Sequence, residues 1–120
     1  MKYFFDTYAI IEIIKENPNY NRFKDEEIIT SILNLGELYY ALLRDFNKYK
    51  ADEWYEGLKN VALNFDVRLI KMAMDFKFEL RSRNLSFIDC AGYTLAMDAK
   101  LIFLTGDKSF KDLPNVEFVK

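Results

Sequence analysis

The run Lys2-Tyr3-Phe4-Phe5 places the tightest constraint on the fold. Its aromatic side chains sit on successive residues and so point to opposite faces, and a strand of that kind needs cover on both sides. It stops at Asp6-Thr7, and a comparable run, Leu101-Ile102-Phe103-Leu104, stands near the far end of the 120-residue chain. Between the two, apolar residues recur mostly at helical spacing. Strands alternating with helices predict an α/β fold with a mostly parallel central sheet sandwiched between helices.

The intervening elements follow from spacing and caps. Tyr8 to Lys15 reads as a helix, and Ile28-Ile29, within Glu27 to Thr30, as a second strand. Ser31 is placed to cap a helix running to about Phe46. Asn47 to Ala62 reads as another helix, and Leu63-Asn64-Phe65 as a short strand. Asp66 could cap a helix to about Arg83, with Asn84 as its stop. Ser86 to about Ala99 is again helical, Thr105-Gly106-Asp107 is a turn, and Val116 to Val119 alternates like an edge strand. Turns are expected at Asn17-Pro18-Asn19 and Leu113-Pro114-Asn115. With no repeat and no Gly/Pro/Ser-rich linker, residues 1–120 are expected to form one domain.

Composition restricts the chemistry. The chain has no His and one Cys, which excludes Ser-His-Asp, Cys-His and two-histidine mechanisms, and also an internal disulfide and His/Cys zinc sites. Cys90 then reads as a small core residue. An enzyme of this composition must work with carboxylates, lysines, hydroxyls or a bound metal. The N-terminal stretch meets Asp6 too soon for a signal peptide, and no apolar run approaches the roughly 18 residues of a membrane span, so a cytoplasmic protein is expected.

Four acids stand where such a sheet would gather them. Asp6 ends the first strand, and Asp107 follows the strand Leu101 to Leu104 across a Thr-Gly turn. Ligands of parallel sheets collect beyond the carboxyl ends of the strands. Asp89 is the only charge in the otherwise apolar or small stretch from Phe87 to Met97. Glu37 has Leu33, Asn34, Tyr40 and Ala41 three and four residues away, company that turns it inward. Each acid also has a purely structural reading: Asp6 as a helix cap, Asp107 as a turn residue, Ser86-x-x-Asp89 as a capping box, and Glu37 on a solvated face. If the four converge, their mutual repulsion calls for a cation, and hard oxygen donors without His or Cys suit Mg²⁺ or Mn²⁺. Such an ion can activate water and clamp a phosphodiester. The whole chain carries a net charge of −2; without these acids the remainder is at +2, compatible with a phosphate-binding rim.

Taken in order, Phe4-Phe5-Asp6-Thr7, Ser31 to Glu37-Leu38, Phe87-Ile88-Asp89 to Ala96, and Leu104-Thr105-Gly106-Asp107-Lys108-Ser109-Phe110 resemble the PIN domain. In size the chain resembles the VapC toxins of prokaryotic toxin–antitoxin pairs. The resemblance implies a three-layer α/β/α sandwich and a Mg²⁺- or Mn²⁺-dependent endoribonuclease that hydrolyses RNA. Asp6, Asp89 and Asp107 would be the principal metal-binding acids, with Glu37 completing the catalytic cluster through water. Thr7 and Thr105 match supporting hydroxyl positions. It also implies a cognate antitoxin that blocks the site, and homodimers are common in the family. Two positions depart from the pattern. Some members carry a further acid where Ser109 stands, and many have Gly where Ala41 stands.

Arg44, Lys48, Arg81 and Arg83 could contact RNA phosphates, or simply form a solvated surface with charge at helix C-termini. Tyr39-Tyr40 with Tyr49, Trp54 and Tyr55 reads as a surface for a protein partner, although aromatics can also stack bases. Two other functions stay open on the residues alone. A receiver-like phosphoacceptor domain would use Lys108, but it usually needs adjacent acids, and Asp6 is followed by Thr7. A PIN-like binding module without catalysis would not need all four acids.

Overall fold

The computed structural model describes residues 2–120. Strand β1 (Tyr3–Phe5) pairs in parallel with β2 (Ile102–Thr105), with Phe4 opposite Phe103. Strand β2 in turn pairs in parallel with β3 (Val116–Phe118). On the other edge of β1, Phe4 forms a parallel bridge with Ile29, and Ser31 bridges Leu63 beyond it. The spatial order is therefore Leu63, Ile29 to Ser31, β1, β2, β3, all running the same way. The chain builds outward from β1 to one side and returns on the other, so strand order reverses between β1 and β2. A crevice opens at such a reversal, beyond the carboxyl ends of the two strands.

The segments expected as strands at Ile28-Ile29 and Leu63 to Phe65 shrink to single bridges, for identifiable reasons. The Thr30 hydroxyl donates to the Phe5 carbonyl at 2.9 Å, so a side chain occupies an acceptor that a further backbone rung would use. At Leu63 one rung is completed by Ile32 N–H donating to the Leu63 carbonyl at 2.9 Å. Ile32 is already the first residue of α2, so pairing ends there.

Five α-helices connect these segments: α1 (Thr7–Ile14), α2 (Ile32–Asp45), α3 (Lys48–Leu58), α4 (Arg68–Glu79) and α5 (Phe87–Asp98). The starts of α2 and α5 follow the sequence caps, while at α4 Asp66 bonds from one residue ahead of the cap position, Val67, which makes no side-chain cap bond. Ser31 Oγ accepts from Asn34 N–H at 3.0 Å, Asp66 Oδ1 from Arg68 N–H at 3.0 Å, and Ser86 Oγ from Asp89 N–H at 3.1 Å. The ends are less faithful. Helix α4 stops at Glu79, short of Arg83, because the chain tightens into a 3-10 turn at Arg81–Arg83. Asn84 then ends that turn with φ 58°, the left-handed conformation Asn tolerates better than most residues. A second 3-10 turn, Pro18–Phe23, is capped by Asn17.

Alternation along the strands divides the interior in two. Phe5 and Leu104 pack with Ile10, Leu38 and Leu42 under α1, α2 and α3. Phe4 and Phe103 pack with Leu69, Ala73, Tyr93 and Phe110 under α4 and α5. The result is the expected three-layer α/β/α sandwich. Cys90 is buried in the second of these cores, as its sequence setting predicts. No described helix is long and apolar enough to cross a membrane.

Candidate active site

A pocket of ≈ 400 Å³ opens at the β1/β2 reversal, and Asp6, Glu37, Asp89 and Asp107 all line it. Each arrives on a different element. Asp6 follows β1 and caps α1, Glu37 lies inside α2, Asp89 sits in the first turn of α5, and Asp107 follows β2 and caps a 3-10 turn. Among the described residues none of the four is ion-paired with Lys or Arg. Among the described residues Arg44 is the only cation lining the pocket.

The structural readings of Asp6, Asp89 and Asp107 hold as well, and at the same time, whereas Glu37 is half-buried in the pocket and not on a solvated face. Asp6 Oδ1 accepts from Thr7 N–H at 2.9 Å, and its Oδ2 accepts from the Thr105 hydroxyl at 2.7 Å. Asp89 Oδ2 accepts from Ser86 N–H at 2.9 Å, completing the capping box. Asp107 Oδ1 accepts from Ser109 N–H at 2.9 Å. Capping uses one oxygen each of Asp89 and Asp107 and leaves the other to the pocket. A helix N-terminus is thus one way to hold a carboxylate still at a site, and the two roles do not compete.

Two hydroxyls are wired with a fixed polarity. Thr105 Oγ1 accepts from Asp107 N–H at 3.1 Å, which directs its own proton to Asp6. Thr7 Oγ1 accepts from the Asn34 side-chain amide at 3.0 Å, and Asn34 Oδ1 accepts from Ser31 Oγ at 2.7 Å. Asn34 is fully buried, and sequence reasoning passed over it. The available signal was its position three residues before Glu37, on the same helical face.

Burial dominates the electrostatics. Asp6 is 4% exposed, and desolvation pushes its pKa up to about 7. The Thr105 hydroxyl opposes that rise, while Asp89 and Glu37 add to it. Burial also raises Glu37, against the Thr7 hydroxyl and with help from Asp89. Asp89 is raised by burial, opposed by its bonds to Ser86 and raised further by Asp107. Like-charge repulsion, the effect expected from sequence, is real but secondary to desolvation at each of these three acids.

The donor set fits a hard divalent cation in kind, since it consists of carboxylate and hydroxyl oxygens around a buried acid without a counter-charge. Among the described residues no three ligating side chains already form a closed metal-binding group.

The basic residues singled out in the sequence do not gather at the pocket together. Arg44 lines it. Lys48 is drawn onto Asp52 at 3.0 Å. Arg81 donates to the Phe78 carbonyl at 2.8 Å, and Arg83 to the Ser109 carbonyl at 2.9 Å, beside the turn that carries Asp107. The aromatic surface also divides. Tyr39 is half-buried, donates to Asp52 at 2.8 Å and packs edge-on against Tyr55, whereas Tyr40 lines the acidic pocket. Trp54 packs against the core, and Tyr49 stays exposed.

Gly106 sets the approach of β2 to this site. A Cβ there would overlap the Tyr8 ring and the Val119 carbonyl. Gly106→Ala is therefore expected to lower stability by about 1–3 kcal/mol, the usual cost of overpacking, read as a fall in Tm.

The fold and pocket together define a three-layer α/β protein whose site is built on carboxylates at the point of strand reversal. The chain belongs to the PIN-domain family, whose model matches residues 3–116. Solved structures of the same fold include VapC20 of Mycobacterium tuberculosis, a sarcin-ricin loop cleaving toxin. It is 17% identical with a TM-score of 0.83, over 99% of this chain and 100% of that one. A toxin–antitoxin complex from Klebsiella pneumoniae matches at 15% identity and TM-score 0.75, over 97% and 96% of the two chains. VapBC2 from Rickettsia felis, bound to a DNA fragment from its promoter, matches at 19% identity and TM-score 0.72, over 98% and 97%. No curated protein sequence matches the chain.

Proposed function

We propose that this chain is a divalent-metal-dependent endoribonuclease of the PIN family and the toxin of a toxin–antitoxin pair. The observation that carries the proposal is the convergence of Asp6, Glu37, Asp89 and Asp107, from four separate elements, on one pocket, with no cation paired to them among the described residues. Such an arrangement is costly for folding and is of use only when something positive completes it. Similarity in fold to toxin–antitoxin complexes supports an antitoxin partner, and a homodimer and a place in the cytoplasm are proposed with it.

In this reading Asp6, Asp89 and Asp107 hold the ion, Glu37 acts through a bound water, and the ion when bound lowers the pKa of water and neutralises phosphate charge. Asp6 is held in place by Thr7 N–H and the Thr105 hydroxyl. Thr7, in turn, is held by Asn34. Rigid placement of this kind lets charge act without reorganisation during the reaction. Arg44 at the rim supplies a phosphate contact, and Arg83, beside the Asp107 turn, a second one further out. Lys48 and Arg81, which neither line the pocket nor bond to the turn that carries Asp107, would contribute only nonspecific attraction. The receiver-like alternative falls with the family assignment, and Lys108 is exposed and does not line the pocket.

The test is cleavage of RNA by the purified chain with Mg²⁺ or Mn²⁺, and again with excess EDTA. Cleavage that EDTA abolishes and added ion restores is the expected result. Cleavage indifferent to EDTA would reject the metal, and none under any condition would reject the nuclease.

A further inference from the structure

A chain of buried hydrogen bonds has a direction when it starts from a backbone N–H, which can only donate. The chain behind Glu37 starts that way. Ser31 Oγ accepts from Asn34 N–H at 3.0 Å and gives its own proton to Asn34 Oδ1 at 2.7 Å. That turns the side-chain nitrogen of Asn34 to Thr7 Oγ1, at 3.0 Å. A flipped Asn34 would leave the Ser31 proton without its acceptor. The side chain also has no slack, since it is fully buried and a Cβ on Gly92 would come within 3.3 Å of its Oδ1. Thr7 therefore has one proton left to give. Glu37 takes it: this carboxylate lies one helical turn beyond Asn34 and lines the pocket beside Thr7, whose hydroxyl opposes the rise that burial imposes on the Glu37 pKa. Asn34 itself does not line the pocket.

We propose that Asn34 is a positioning residue, which aims the Thr7 proton at Glu37 and so holds that carboxylate in place, acting on it only through Thr7. The inference rests on the nuclease reading above and deepens it by adding a residue that shapes the site without touching the substrate. Without the Asn34 amide, Thr7 Oγ1 is free to turn, and Glu37 loses a bond of fixed direction. Placement of that kind matters most where charge develops during the reaction. The ion-holding acids Asp6, Asp89 and Asp107 keep their own bonds, to Thr105, Ser86 and Ser109.

The experiment is a double-mutant cycle on the full chain, with kcat and KM read on a fluorescent RNA oligonucleotide in Mg²⁺ and in Mn²⁺. Asn34→Leu nearly keeps the volume and removes the donor, Thr7→Val removes the hydroxyl, and Thr7→Ser keeps it. Asn34→Leu and Thr7→Val should each lower kcat by about tenfold with KM within about twofold, the scale for groups that support a metal site from behind. Combined, they should cost no more than Thr7→Val alone, because both break one chain. Thr7→Ser should recover kcat. A second readout needs no turnover: the Mg²⁺ midpoint for the rise in Tm should move by less than about threefold in either single variant, since the ion-holding acids are untouched. Tm in EDTA checks folding, and Asn34→Ala takes over if Asn34→Leu does not fold. An unchanged kcat in the Asn34 variant, a further loss of roughly tenfold when it is added to Thr7→Val, or a Mg²⁺ midpoint displaced by as much, overturns the relay and leaves the nuclease standing. A wild type that cleaves no RNA with either ion overturns the nuclease reading and the relay with it.

Discussion

Asp6→Asn is expected to abolish RNA cleavage and, in the metal-free protein, to raise stability. The loss should be on the order of 10³-fold in kcat, the scale for removing one preorganised group from a site of charge development. The gain has a separate cause. Asp6 is buried, without a counter-charge, and titrates near 7 in the fold against 3.8 in the open chain. Above neutrality its charge is therefore a burden that Asn does not carry. Asn keeps most of the local bonding, since its carbonyl can accept from Thr7 N–H and its amide can donate to Thr105 Oγ1. The Thr105 hydroxyl proton loses its acceptor, which returns about 1 kcal/mol. A net gain of roughly 3 kcal/mol at pH 8 remains, shrinking to under about 1 kcal/mol at pH 5 as pH nears the open-chain value of 3.8, below which both states hold the proton. Urea titration at the two pH values reads it. A variant less stable than wild type at pH 8 would contradict the account of Asp6 as an uncompensated buried charge.

The second large effect is the response of wild type to pH and to divalent ions. Because the folded Asp6 binds its proton more tightly than the unfolded chain does, the fold carries the extra proton between about pH 4 and pH 7. Stability of the metal-free protein must then fall as pH rises through that window, by up to about 4 kcal/mol if this group acted alone. Glu37 and Asp89 are displaced in the same direction and reinforce the trend. Mg²⁺ or Mn²⁺ should reverse it, adding about 2.7 kcal/mol at a hundredfold excess over Kd at pH 8. Below about pH 5 the ions should have little effect, since protonated carboxylates do not bind them. Tm measured across pH, with EDTA and with each ion, gives both curves. A metal-free Tm that climbs from pH 5 to pH 8 would overturn the assignment.

How much of this was legible in the sequence depends on the range of the interactions involved. The starts of α2 and α5 were marked by Ser31 and Ser86, and that of α4 to within one residue by Asp66, because a cap is a contact between residues two or three apart. Strands β1 and β2 were marked by runs too apolar for any position but one covered on both faces. The strands foreseen at Ile28-Ile29 and Leu63 to Phe65 came out as single bridges, since a hydroxyl from Thr30 and the start of α2 cut them short. Neither limit can be read from hydrophobic pattern.

The amino-acid sequence by itself settled the chemical vocabulary: oxygen donors, no imidazole, one buried thiol, and acids placed at the ends of apolar segments. Only the tertiary structure decided that Asp6, Glu37, Asp89 and Asp107 share a pocket, that Asn34 holds Thr7, and that Tyr40 rather than Tyr39 faces that pocket. The physical reason is that caps and periodicity are local, whereas these meetings join residues up to about a hundred positions apart, and such closeness exists only once β1 and β2 lie side by side.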